Sequence, residues 1–215
     1  RYPLVTGVQT CALPIWTFFN KNKIRIFYRF GLITDFLRGT DFYGAQTSHP
    51  IIDGHQFTTA CYPGLNRRIF GILPKSQIRG IIDIGCGKGL TLVRFRRSGI
   101  AKVGGVEFQE ELVEICEQNF KKLKLQLDFL WCGNAKDFKG YEGYNTLYLY
   151  NALPWDILDL TLSNFISVTK NDPHSKYLIS VNPVCHQLCL DKGFQEIGRF
   201  FHFATHDDVV VYQLG

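Results

Sequence analysis

Three glycines at alternate positions, Gly85, Gly87 and Gly89, follow the apolar run Ile81-Ile82-Asp83-Ile84, and an acid, Glu107, stands eighteen residues beyond the third. Glycine has no Cβ to hold a ligand away, so backbone N–H groups in such a loop can approach a nucleotide-like group closely. A carboxylate at the tip of a neighbouring strand can then accept both hydroxyls of a ribose. Two further polar clusters lie where strands are expected to end. One is Cys132-Gly133-Asn134-Ala135, the other Tyr150-Asn151-Ala152-Leu153-Pro154. His49, Asp53 and His55 sit upstream in a stretch rich in Gly, Ser, Thr, His and Pro, and a histidine titrates in the range a general base needs.

The elements that must hold these groups read as an alternation of strands and helices. Ile81 to Ile84 is a strand and Leu90 to Arg97 a helix. Lys102 to Val106 is a second strand, ending on Glu107, and Glu110 to Phe120 a helix with Leu112, Ile115, Cys116 and Phe120 on one side. Gln126 to Trp131 and Tyr144 to Tyr150 follow as strands, the latter almost continuously apolar, as a central parallel strand is. Pro154 to Val168 is a helix, with Pro at its start where a missing N–H is harmless. Tyr177 to Val181 is a fifth strand and Pro183 to Lys192 a helix. Phe194 to Phe203 with Val209 to Leu214 form a closing β-hairpin. Upstream, Leu65 to Leu73 is a short helix stopped by Pro74. The expected architecture is an α/β Rossmann-like sheet of seven strands, mostly parallel with a C-terminal antiparallel hairpin, and helices on both faces.

The spacing narrows the ligand. Dinucleotide folds usually carry G-x-G-x-x-G, whereas the pattern here is D-x-G-x-G-x-G at Asp83, Gly85, Gly87 and Gly89. This resembles motif I of the class I S-adenosylmethionine-dependent methyltransferases, and the parallel sheet closed by a hairpin is similar to their fold over Leu65 to Gly215. The resemblance implies S-adenosyl-L-methionine as cofactor. It assigns Asp83, Gly85, Cys86, Gly87 and Gly89 to the loop, and Glu107 with Phe108 to the ribose side. Asn134 and Ala135 fall at the G-D-A segment that meets the adenine; Asn134 replaces the acid and can accept without charge. Phe138 is read as core, with stacking beside the adenine as the other possibility. Tyr150 and Asn151 fall where many amino-methylating members carry N-P-P-[YF] or Y-N-P-F, whose Asn orients the acceptor lone pair, so they are the catalytic candidates, with Asn151 counted among the cofactor contacts as well. Ala152 and Leu153 depart from that motif, and Asn151 is also placed to cap the helix after Pro154.

The stretch Asp41-Phe42-Tyr43-Gly44 through His55, with Gly105-Val106-Glu107-Phe108 and the Asn151 loop, resembles a poorly characterised bacterial group of these enzymes. That group shares motif shapes with the non-SET histone lysine methyltransferases. The expected function is methyl transfer to an acceptor of unknown identity, a small molecule or a protein side chain, with nitrogen favoured over oxygen. His49, Asp53 and His55 are candidate acceptor contacts. Two other readings compete. One is a nicotinamide-dependent oxidoreductase or epimerase, which predicts G-x-G-x-x-G and a Tyr-x-x-x-Lys pair. The other is a nonenzymatic nucleotide-binding module using its basic N-terminal segment on nucleic acid or lipid.

Residues 1–16 are expected to be foreign. Val5 to Ile15 is what a widely used short-read sequencing adapter would encode, and the absence of Met fits a fragment whose true start is missing. Residues 17–63 then form a helical and irregular extension, and 64–215 the methyltransferase domain. Without residues 1–16, whose one charged side chain is Arg1, the remaining 199 residues carry 23 basic and 19 acidic side chains, a small excess that suits a single α/β domain. Thr17 to Gly39 alternates aromatics with Lys21, Lys23, Arg25, Arg29 and Arg38. It is read as a helix docking its Phe and Ile face, with an anionic surface as the other partner. Cys61, Cys86, Cys116, Cys132, Cys185 and Cys189 form no C-x-x-C, which argues against zinc and for reduced thiols in a cytoplasmic protein. No run of eighteen apolar residues is present to span a membrane.

Overall fold

The computed structural model describes residues 29–44, 64–150, 153–202 and 207–215. The adapter-like stretch, most of the basic-aromatic segment, His49, Asp53, His55 and Asn151 lie outside the described residues. Helix α1 covers residues 29–38. The chain then forms α2 (Leu65–Ile72), β1 (Ile81–Ile84), α3 (Leu90–Arg97), β2 (Val103–Glu107), α4 (Glu110–Lys122), β3 (Phe129–Cys132), β4 (Thr146–Tyr150), α5 (Trp155–Thr169), β5 (Tyr177–Val181), α6 (His186–Asp191), β6 (Phe194–His202) and β7 (Asp207–Leu214).

These strands make one seven-stranded sheet in the order β3-β2-β1-β4-β5-β7-β6. β1 to β5 pair in parallel, and β7 runs antiparallel to both β5 and β6. The expected seven-stranded, mostly parallel sheet closed by an antiparallel hairpin is therefore present. The order reverses between β1 and β4, and open α/β sheets take ligands in the crevice beyond the strand ends at such a point.

Strand residues divide by alternation between two cores. Ile81, Tyr148 and Ile179 point to one face with Leu65 and Ile69 of α2, Leu92 and Phe95 of α3, and Cys116 and Phe120 of α4. Ile82, Leu147, Leu149 and Leu178 point to the other with Leu158, Leu162 and Phe165 of α5 and Leu188 of α6. Both faces are covered, so β1, β4 and β5 carry apolar residues in succession rather than alternation. The helix ends follow charge. α4 opens on Glu110 and Glu111 and closes on Lys121 and Lys122, which complements the helix dipole.

Some elements are shorter than the residue pattern predicts. β3 starts at Phe129, not Gln126, because the Gln126 carbonyl accepts from Arg96 Nε at 2.9 Å. α6 starts at His186, not Pro183, since Asn182 adopts a left-handed φ of 53° and Val184 N donates back to its carbonyl. The greater departure is α1, which does not bury its apolar side. Phe30, Ile33, Phe36 and Leu37 are exposed, while Gly31 and Asp35 face inward. The Asp35 carboxylate explains the inversion. It accepts from Thr40 Oγ1 at 2.7 Å, Phe42 N at 2.8 Å and Tyr43 N at 2.7 Å, so the helix turns its acid toward the turn that follows it. Among the described residues no helix is long and apolar enough to cross a membrane.

Candidate active site

The crevice at the β1 and β4 ends is bounded first by the glycine loop. Gly85, Gly87 and Gly89 have φ of 78°, 53° and 84°, the left-handed region that glycine enters without penalty. Gly89 is also required by packing. A Cβ there would lie 2.4 Å from Cys116 Sγ, so the third glycine lets α3 start close against α4. Gly85 N and Cys86 N both donate to the Val106 carbonyl, at 2.8 and 3.1 Å, which folds the loop over the end of β2. A hydrogen bond with Cys116, followed by burial, pushes the Cys86 thiol up, so it packs as a neutral group.

Glu107 joins the two loops. Its Oε2 accepts from Gly87 N at 2.8 Å, and its Oε1 from Phe108 N at 2.8 Å and Gln109 N at 3.0 Å. The carboxylate is 8% exposed, so these bonds act with little competing solvent. Asp83 is buried in the middle of β1. Burial, with the charge of Glu107 as the second cause, pushes its carboxyl well above the usual carboxylate range. The two acids thus differ in setting, with Asp83 buried beneath the loop and Glu107 accepting three backbone N–H groups at its edge. Phe108, beside Glu107, is 59% exposed and forms an apolar flank.

The wall after β3 is shaped by hydrogen bonds to backbone. Gly133 N donates to the Glu107 carbonyl at 2.9 Å. Asn134 caps a short 3-10 turn, Ala135–Asp137, with its Oδ1 accepting from Lys136 N at 3.2 Å. Ala135 is buried beneath it. Phe138 lies in the core, stacked on Phe129 at 5.4 Å and edge-on to Tyr141 at 4.8 Å, which makes it scaffold rather than a ligand contact.

On the other side of the crevice, Tyr150 ends β4, half-buried against the core. Asn151 and Ala152 fall outside the described residues, and the chain resumes at Leu153. Below this point opens a cleft lined by Leu149, Leu153, Leu158, Ser180, Asn182 and Val184. The structure therefore gathers Gly85, Cys86, Gly87, Gly89, Glu107, Phe108, Asn134 and Ala135 around the strand ends, with Asp83 below and Tyr150 across.

Sequence reasoning passed over Lys88 and Asn119. Lys88, inside the glycine loop, is 8% exposed and donates to Asp41 Oδ1, Asp41 Oδ2 and the Gly44 carbonyl, each at 2.9 Å. Asn119 of α4 donates to the carbonyls of Lys88 and Asp41 and accepts from Asp41 N. A lone cation between two motif glycines was the available signal. It also passed over the cleft at the end of β5, where the Asn182-Pro183 pair was the available mark.

Residues 81–172 match the family described as Methyltransferase domain. Ribosomal protein L11 methyltransferase from Thermotoga maritima is 25% identical over 136 residues, which are 62% of this chain and 44% of that protein. The Thermotoga petrophila protein of the same name gives the same figures, so the chain spans less than half the length of the curated relatives it matches. Among solved structures, an S-adenosylmethionine-dependent methyltransferase from Clostridium acetobutylicum shares the fold at a TM-score of 0.56 and 8% identity, over 70% of this chain and 90% of that one. Magnesium protoporphyrin IX methyltransferase from Synechocystis, with bound SAH, does so at 0.53 and 14% identity, over 70% of this chain and 81% of that one. The β1 to α5 region thus matches the Methyltransferase domain family, and the seven-stranded sheet of this order has the fold of these methyltransferase structures.

Proposed function

We propose that the protein transfers a methyl group from S-adenosylmethionine to an acceptor held across the crevice from the glycine loop, with a nitrogen acceptor favoured over oxygen. The observation that carries this reading is the tie between Gly87 N and Glu107. It presents a buried carboxylate and a Cβ-free loop side by side, an acceptor for ribose hydroxyls beside a surface that the attached chain can approach closely. The residues present fit such a group. Gly85, Gly87 and Gly89 give close backbone approach, Glu107 the hydroxyl acceptor, Phe108 an apolar flank, and Asn134 with Ala135 the wall for a base. When bound, the cofactor supplies an already activated methyl on a sulfonium. The reversed β7 beside β5 supports this reading over the nicotinamide one.

What the chain must do is align and dry the acceptor. Tyr150 closes β4, on the side opposite the glycine loop, and Asn151 is the next residue in the sequence. In this reading the Asn151 side chain accepts from the acceptor and turns its lone pair inward. The small cleft beside Leu153 and Val184 is lined mainly by apolar side chains and flanks the acceptor side. Burial holds the Asp83 carboxyl above the usual carboxylate range beneath the loop. The acceptor is a small molecule or a protein side chain, and the cytoplasm, where the free thiols of Cys86, Cys116 and Cys189 stay reduced, is the compartment the reading assigns. We take residues 64–215 as the methyltransferase domain, residues 17–63 as its extension, and residues 1–16 as adapter-derived.

The test is Asn151→Ala. Methyl transfer should fall about a hundredfold or more, since misplacement forfeits the alignment of acceptor and methyl, while affinity for S-adenosylhomocysteine stays within about twofold. If Asn151 only caps α5, the same change costs about 1 kcal/mol of stability and leaves turnover intact. That result would remove Asn151 from the site.

A further inference from the structure

We propose that Lys88, Asn119 and Asp41 form a latch through which the N-terminal segment positions the cofactor loop, so that docking of residues 40–44 and cofactor binding strengthen one another. This rests on the reading of the glycine loop as the S-adenosylmethionine site. Lys88 lies between Gly87 and Gly89, and its buried ammonium spends its donors on the segment, with both Asp41 oxygens and the Gly44 carbonyl at 2.9 Å. Asn119 closes the same knot from α4. Its Oδ1 accepts from Asp41 N at 2.8 Å, and its Nδ2 donates to the Asp41 carbonyl at 3.0 Å and the Lys88 carbonyl at 3.1 Å. Three stretches separated by 47 and 78 positions are thus joined by six hydrogen bonds at one point on the loop.

The segment is itself shaped for this contact. Asp35 holds the turn at Thr40, Phe42 and Tyr43, Gly44 N donates to Asp41 Oδ1 at 2.9 Å, and Phe42 packs on the core that contains Cys86 and Cys116. A buried ammonium without its carboxylate is costly, so undocking of the segment leaves Lys88 uncompensated and the loop backbone from Cys86 to Gly89 without its outer support. The loop's inner side, Gly87 N, is held by Glu107. The cofactor loop is therefore clamped between a carboxylate at the ligand edge and a carboxylate brought by the N-terminal segment. Lys88 and Asn119 are positioning residues, with no donor left over for the ligand on Lys88.

Linkage makes the effect reciprocal. On the full chain, hydrogen exchange of residues 40–44 should slow on adding S-adenosylhomocysteine, and Lys88→Met and Asp41→Asn should each weaken that ligand about tenfold, within the usual span of coupling between sites. Because both changes break one contact, the double variant should be no weaker than either single one. In all three variants exchange at 40–44 should be fast with or without ligand. Exchange of 40–44 in the unaltered protein that is the same with and without bound ligand would overturn the latch, even if no variant folds. So would folded variants with faster exchange and unchanged affinity, which would make the contact merely structural. An unaltered protein that fails to bind S-adenosylhomocysteine at all would overturn the cofactor reading and the latch together.

Discussion

Replacing Glu107 by Gln exchanges one carboxylate oxygen for an amide nitrogen and tests the geometry of the whole crevice. The carboxylate takes three backbone N–H donors, Gly87 on one oxygen and Phe108 with Gln109 on the other. A glutamine amide keeps one oxygen. If that oxygen stays with Phe108 and Gln109, the amide nitrogen faces Gly87 N, donor against donor. The change then removes one charge-assisted hydrogen bond at 2.8 Å and leaves a buried N–H without a partner. A hydrogen bond to a charged group contributes about 1.5–3 kcal/mol, and at 8% exposure little solvent is present to soften the loss. The ribose hydroxyls proposed to share this carboxylate lose an anionic acceptor in the same step. Affinity for S-adenosylhomocysteine should therefore fall by about 1.5–3 kcal/mol, or about 10- to 150-fold. Calorimetric titration of folded Glu107→Gln, with its unfolding midpoint measured in parallel, gives both quantities. An affinity within about twofold of the unaltered protein would refute the assignment of Glu107 to the ligand and leave it a loop brace.

Two further predictions follow from buried polar groups. Asp83 has its carboxyl raised in the folded state, first by burial and then by Glu107, so the unfolded chain gives up this proton at lower pH than the folded protein does. Between those two values the wild type loses about 1.4 kcal/mol of stability per pH unit from this group alone as pH rises. Asp83→Asn removes that slope, so its unfolding free energy should gain on the wild type with rising pH through that window, and parallel pH profiles would contradict the buried neutral acid. Asn145, 2% exposed at the other end of the sheet, accepts from Arg79 N and donates to the Gln77 and Ser175 carbonyls. Asn145→Ala should cost about 2–4 kcal/mol of stability in denaturant unfolding yet leave ligand affinity unchanged in the folded fraction; a stability loss under 1 kcal/mol would show that the network is not needed.

The parts of the fold legible in the sequence were those dictated by period and by backbone chemistry. Leu90 to Arg97 and Tyr177 to Val181 appear with the bounds read from apolar pattern, and the three alternate glycines do adopt left-handed φ at the strand-to-helix turn. The hairpin was legible because Val209 to Leu214 is β-branched and apolar, and a sheet covered on both faces needs such strands. Contacts between distant positions were not. The orientation of α1 depends on Asp35 meeting the amides of Phe42 and Tyr43, which no periodicity encodes, and an apolar stripe alone favours the opposite face. Lys88 reads as a solvated loop cation until Asp41, 47 positions upstream, is brought beside it. Asp83 reads as a motif acid, and only its burial reveals that its carboxyl is pushed above the usual range.

The central claim is that the crevice beside Gly87 and Glu107 receives S-adenosylmethionine, and it is tested most directly by calorimetric titration of the full chain with S-adenosylhomocysteine and, separately, with NAD. The expected result is saturable one-site binding of S-adenosylhomocysteine, weakened by Glu107→Gln, and no binding of NAD. Saturable NAD binding, or binding of S-adenosylhomocysteine that is indifferent to Glu107, would contradict it.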